Sequence, residues 1–171
     1  MSMHKFFIMD TNERIQAHIL SVWRQTKKFF SFSGKEGMLF LTDRHLMFVT
    51  KTEAKMKWWQ SATQRQAITL LKSKNVMSRH DGYNEENLRL DLQNKKNLEV
   101  DFDNIWSIDS EEKSWGSVLN VELNENGERK KYQFSIVLDW VKYPAKDPTK
   151  FMKVDWSHFV QYVKERQKIT K

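Results

Sequence analysis

The groups most able to do chemistry are dispersed along the chain. The five histidines, His4, His18, His45, His80 and His158, never share metal-ligand spacing on one element. Asp43-Arg44-His45 contains an acid, a base and a cation in a row. It falls between two short apolar runs, where a turn role outweighs acid–base catalysis. No G-x-S-x-G elbow is present. No G-x-G-x-x-G or G-x-x-x-x-G-K-[ST] loop offers a backbone cradle for phosphate. The chain has no Cys, which excludes disulfides, thiolate metal sites and a cysteine nucleophile. The residues therefore support no catalytic site, no metal site and no cofactor, and the expectation is a non-enzymatic protein.

One constellation does stand out, and it is a binding one. Residues 51–80 carry seven Lys/Arg against one Asp/Glu, a net +6 within a chain of net +7. Lys51, Lys55, Lys57, Arg65, Lys72, Lys74 and Arg79 surround Trp58 and Trp59 and the apolar run Ile68 to Leu71. Basic residues around tryptophan suit a membrane-surface helix, which attracts anionic lipid and inserts indole at the interface. The same residues also suit a helix packed on the core with a solvated basic face. A third reading sets this face against residues 81–139 of another copy, a block of net −7. Nucleic acid is disfavoured, because the aromatics mostly sit in apolar strand or helix patterns and the acidic block repels phosphate.

The elements that must position these residues follow from periodicity. Ile15 to Trp23 and Phe29 to Phe32 read as one long or broken strand. Ser33 to Gly37 reads as a turn. Met38-Leu39-Phe40-Leu41 and Leu46-Met47-Phe48-Val49 flank the Thr42–His45 turn as a hairpin. Residues 53–72 lack Gly and Pro and read as a helix, with Met56, Trp59, Thr63, Ala67 and Leu70 on one face and Ile68 and Leu71 beside it. Alternation in Leu88–Leu92 and Leu98–Phe102 predicts two strands. Ile105–Ile108, Trp115–Leu123 and Lys131–Val137 add more, with a hairpin turn at Asn124–Gly127. Asp155 is a candidate N-cap. After it, Trp156, Phe159, Val160 and Val163 form the apolar stripe of a packed helix.

The expected fold is mainly β with α, in one domain over residues 1–171. About seven antiparallel strands form an open barrel or sandwich. A helical insertion follows the third strand at 53–80, and an amphipathic helix at 155–168 caps the barrel. The run Gly37-Met-Leu-Phe-Leu-Thr-Asp-Arg-His-Leu-Met-Phe-Val49 resembles the hairpin of GRAM and bacterial PH-like domains. Phe102-Asp-Asn-Ile-Trp-Ser-Ile108 is similar to a later strand of that family. The resemblance covers residues 13–52 and 85–168. It implies a PH-like binding or adaptor module for a membrane surface or a protein partner, with self-association as the alternative. Lys27, Lys28 and Lys35 do not form the clustered basic signature of phosphoinositide-gripping PH domains, which argues against stereospecific inositol phosphate binding. No apolar run reaches the ~18 residues of a membrane span. The expected location is the cytoplasm, with peripheral attachment at the inner membrane surface under the membrane-docking reading.

Overall fold

A computed structural model of the chain describes residues 9–26, 34–52, 59–140 and 149–169. Seven antiparallel strands follow the spatial order β4-β3-β2-β1-β7-β6-β5. They are β1 (Ile15–Thr26), β2 (Gly34–Thr42), β3 (His45–Val49), β4 (Leu98–Asp101), β5 (Ile105–Lys113), β6 (Gly116–Glu125) and β7 (Glu128–Trp140). A short β8 (Thr149–Phe151) pairs with β7. The helices are α1 (Trp59–Ser73), α2 (Glu85–Asp91) and α3 (Ser157–Ile169). The sheet is open, with β4 and β5 at its two ends.

The apolar stripe of α3 crosses this opening. Trp156, just before the helix, and Phe159 and Val163 on it are fully buried. Asp155 Oδ1 accepts the Ser157 amide at 2.9 Å as the helix begins. Near the far end, Gln167 Nε2 donates to the carbonyls of Phe102 and Ile105, at 2.9 and 2.8 Å. Backbone acceptors at the start of edge strand β5 are thereby satisfied by the capping helix.

Strands β2 and β3 differ from ordinary half-wet strands. Every residue from Met38 to Leu41 and from Leu46 to Val49 is buried. Alternation puts Leu39, Leu41, Leu46 and Phe48 in the main core and Met38, Phe40, Met47 and Val49 on the opposite face. That second face needs a cover, because continuous apolar runs are stable only when both sides are shielded. The insertion supplies it. Ala62 of α1, Tyr83 ahead of α2 and Leu88 of α2 join Met9 and Leu20 in a second core. The connection between β3 and β4 is therefore a structural layer.

The second of two register shifts in β1 seats this layer. The β1–β2 register slips between Ile19 and Val22, and Ser21 sits at φ 55°. This bulge turns the backbone of Leu20 out of the ladder. Gln66, buried on α1, takes up both groups. Its Oε1 accepts the Leu20 amide at 2.8 Å and its Nε2 donates to the Leu20 carbonyl at 2.9 Å. His80 Nε2 donates to the same Oε1 at 2.9 Å. Further along, the His18 amide donates to the Ser78 carbonyl at 2.7 Å, so the chain after α1 runs against β1.

Asn97 holds the two ends of the insertion together. Its Oδ1 accepts the amides of Thr50 and Lys51, and its Nδ2 donates to the carbonyls of Lys51 and Asp91. The Tyr83 and Thr52 hydroxyls both donate to Asp91 Oδ2.

Three expectations are corrected. Leu88–Leu92 belongs to helix α2 and its C-terminal end, not to a strand. Asn84 and Asn87 form a reciprocal capping box, and Glu85 and Glu86 favour the helix N-terminus. Leu88 is buried while Leu90 points to solvent, which a strand would not allow. The Gly34–Gly37 run is strand, not turn. A Cβ on Gly34 would strike the Trp23 indole, and one on Gly37 would strike the Val49 carbonyl, so these glycines permit close approach. The buried stripe of α1 is Ala62, Gln66 and Leu70, leaving Ile68 and Leu71 outside. The expected strand at Phe29–Phe32 lies outside the described residues.

Replacing Gln66 with Ala is expected to leave two buried backbone groups of Leu20 without partners. Stability should fall by about 2–4 kcal/mol, measured by urea unfolding.

Candidate functional site

Helix α1 has two unlike faces because it is anchored by one of them. Ala62, Gln66 and Leu70, spaced i, i+4 and i+8, point at the sheet. At 100° per residue, Ile68 and Leu71 fall on the far side. They are 55% and 63% exposed, among the most exposed large apolar residues described. Arg65 and Lys72 flank them, and both are exposed. Neither forms an ion pair among the described residues. The result is an outward stripe of two aliphatic side chains between two cations.

The other residues of the predicted basic set are placed differently. Trp59 begins α1, and nothing of its side chain is described. Lys55, Lys57 and Trp58 lie outside the described residues. Lys51 sits beyond β3, where Asn97 holds its backbone. Lys74 follows α1 at φ 59°, with its carbonyl accepting the Asp155 amide at 2.7 Å. Arg79 pairs with Glu85 at 2.9 Å. Of the nine predicted residues, Arg65 and Lys72 are thus brought onto one exposed helical face. Ile68 and Leu71 are the residues the sequence placed on the wrong side.

The histidines form two buried clusters. His18 is stacked on Phe40 with ring centroids 4.2 Å apart, and His80 meets it edge-on at 5.1 Å. Burial holds the pKa of His18 well below its ordinary value, with His80 and Arg79 adding to this. Burial lowers His80 as well, helped by Arg65. Both rings lie between β1 and the insertion as neutral packing groups. His158 is exposed on α3, and His4 lies outside the described residues.

His45 belongs to the second cluster. Its Nδ1 lies 2.6 Å from Glu13 Oε1, and its Nε2 lies 3.6 Å from Glu99 Oε1. Thr42 also donates its hydroxyl to Glu13. The Glu13 side chain is completely buried, and those of His45 and Glu99 are 12% and 6% exposed. The trio joins the N-terminal segment, the β2–β3 turn and β4. Asp43 Oδ1 accepts the Arg14 amide at 3.1 Å, and Arg44 pairs with Asp10 at 3.0 Å. The Asp43-Arg44-His45 triplet therefore tethers a turn.

No protein-family model matches the chain, and no curated protein matches it. Geometry and charge carry the functional reading. No described helix is long and apolar enough to cross a membrane, and no described group of His, Asp and Glu is arranged to hold a metal ion.

The His45 cluster gives stability a defined pH dependence. Burial opposes the imidazolium, but the hydrogen bond and charge of Glu13 outweigh it and raise His45. That contribution is full below the ordinary value of 6.5 and is lost as pH rises through the folded value. Burial opposes the Glu13 carboxylate, but His45 and Thr42 outweigh it and lower its pKa. Its contribution is present above 4.5 and is lost as pH falls through the lowered value. Burial pushes Glu99 up to about 7, His45 pulling against it and Glu13 and Asp101 adding to it. A raised carboxyl costs stability as pH rises from its ordinary 4.5 through that value. Stability should therefore fall as pH rises from about 4.5 through 7 while Glu99 resists ionisation, and fall further above 6.5 as His45 loses its proton, by on the order of 1–3 kcal/mol. Glu99→Gln should flatten part of that decline in denaturant unfolding at a series of pH values.

Proposed function

We propose that the chain is a non-catalytic PH-like module of GRAM type that docks reversibly on an anionic membrane surface through the outer face of α1. Its setting would be peripheral, on the cytoplasmic side. The observation that carries this reading is the exposed Ile68–Leu71 pair between Arg65 and Lys72 on a helix whose other face is anchored to the sheet. The strand order, the Gly37–Val49 hairpin and a C-terminal helix across the β4–β5 opening support the PH-like part.

The magnitudes suit a transient contact. Two cations near an anionic surface contribute about 2 kcal/mol together. Two aliphatic side chains leaving water contribute about 1.5–3 kcal/mol each. The gross sum of about 5–8 kcal/mol corresponds to micromolar-to-millimolar binding. Sequence charge adds to it, because Lys55 and Lys57 precede α1 in the chain.

A second reading keeps the docking face and changes the partner. The exposed residues Asp109, Glu111 and Glu112 of edge strand β5 are complementary to it, which favours a second copy of the chain. Co-sedimentation with vesicles separates the two. Vesicles rich in phosphatidylserine should retain the protein at low salt, and neutral vesicles should not. Ile68→Ser/Leu71→Ser should reduce retention about a hundredfold or more. Arg65→Gln/Lys72→Gln should reduce it about thirtyfold and remove much of the salt dependence. Absence of retention, with concentration-dependent dimerisation that these variants abolish, would replace the membrane with a second copy.

A further inference from the structure

The seam between β1 and the insertion holds two imidazoles, and among the described residues no carboxylate meets either ring nitrogen of His18. His18 is 1% exposed. Its Nε2 lies 3.2 Å from the Met38 sulfur, and its buried Nδ1 has no hydrogen-bond partner. Phe40 stacks on the ring, with Tyr83 at 5.0 Å and His80 at 5.1 Å between centroids. The Tyr83 hydroxyl is turned to Asp91. Arg79 is the cation that acts on His18, and it is exposed and paired with Glu85. Beyond His80 stand Arg65 and Asp81, both exposed.

These surroundings suit a neutral imidazole and oppose an imidazolium. A proton on Nδ1 would create a buried charged donor without an acceptor, beside His80 and in the field of Arg79. Burial accordingly holds His18 well below its ordinary value, and His80 is lowered in the same sense. A histidine shifted down favours the closed layer fully above 6.5, and that contribution is lost as pH falls below 6.5, where the opened layer takes up the proton. The fastenings at the ends of the insertion do not share this sensitivity. Asn97 joins Thr50, Lys51 and Asp91 through uncharged groups. Glu85 accepts the Ile15 amide at 3.4 Å; burial opposes its carboxylate, but backbone amides and Arg79 outweigh this and hold it below 4.5. The His45 cluster has the opposite sign, since both His45 and Glu99 are raised, so the same fall in pH tightens the turn against β4.

We propose that the insertion is an acid-released flap: proton uptake by His18 lifts α1 and the segment through His80 off β1 and β2, while Asn97 keeps both ends of the insertion on the sheet. The Gln66 pair with Leu20 and the bond from the His18 amide to the Ser78 carbonyl break on opening. Opening bares Met38, Phe40, Met47 and Val49, the apolar face that the layer covers. It also frees α1 from the rotation that Gln66 imposes. The device does not depend on what α1 itself docks on.

Amide hydrogen exchange of the full chain between pH 7.5 and 5.5 tests this, read in proton–nitrogen spectra and corrected for the intrinsic pH dependence of exchange. The Leu20 and His18 amides report directly, because their acceptors lie on the insertion. Their protection, and that of residues 66–71, should fall about tenfold over this range, as one histidine with its ordinary value of 6.5 in the opened layer requires. Leu119 and Phe134, in the main core, should show no such fall. His18→Phe keeps an aromatic ring against Phe40 and removes the proton site, so it should flatten the profile. The wild-type profile decides alone where that variant folds poorly. The proposal is overturned if protection of Leu20 and α1 is constant with pH, if it falls in step with Leu119 and Phe134, or if His18→Phe retains the fall.

Discussion

The fold turns on how Gln66 meets the bulge at Leu20. A bulge in the middle of a buried strand exposes one amide and one carbonyl to an apolar environment, and each would be costly if left alone. The primary amide of Gln66 supplies one acceptor and one donor in the spacing those groups need. That pairing fixes the rotation of α1 about its own axis. With Gln66 inward, Ala62 and Leu70 are inward, and Ile68 and Leu71 are outward. The outward Ile68–Leu71 face is a geometric consequence of the anchor.

The two halves of the sheet are finished in different ways. The outer face of β2 and β3 is apolar and takes the insertion as a second layer. The outer face of β5, β6 and β7 is a wet polar ladder, in which Gln133 donates to Asn120 and Asn120 donates to Asp109. Trp106 stands exposed there with the Arg129 guanidinium 5.0 Å from its ring.

Much of this was legible in residue patterns. The Trp156, Phe159, Val160 and Val163 stripe gave α3, and the apolar runs around Thr42–His45 gave the hairpin. Asn126 and Gly127, at φ 55° and 83°, form the expected tight turn. The failures share a cause, which is that local patterns are ambiguous when tertiary contacts decide. Leu88, Leu90 and Leu92 alternate like a strand, yet Asn84 and Asn87 cap a helix over them. Gln66 is a polar residue on the buried face of α1, so an apolar-stripe search rotated the helix and hid Ile68 and Leu71. The bulge at Ser21 carries no glycine to announce it. Glu13, His45 and Glu99 lie far apart in the chain, and only strand pairing joins them.

The central claim is that the outer face of α1 is the surface that meets a membrane. The chain lacks cysteine, so Leu71→Cys offers a unique attachment point for an environment-sensitive dye. Emission from that position, followed as phosphatidylserine-rich vesicles are added, is the most direct measurement. A saturable blue shift that added salt reverses is the predicted result. Emission that stays unchanged at every lipid concentration would contradict the account.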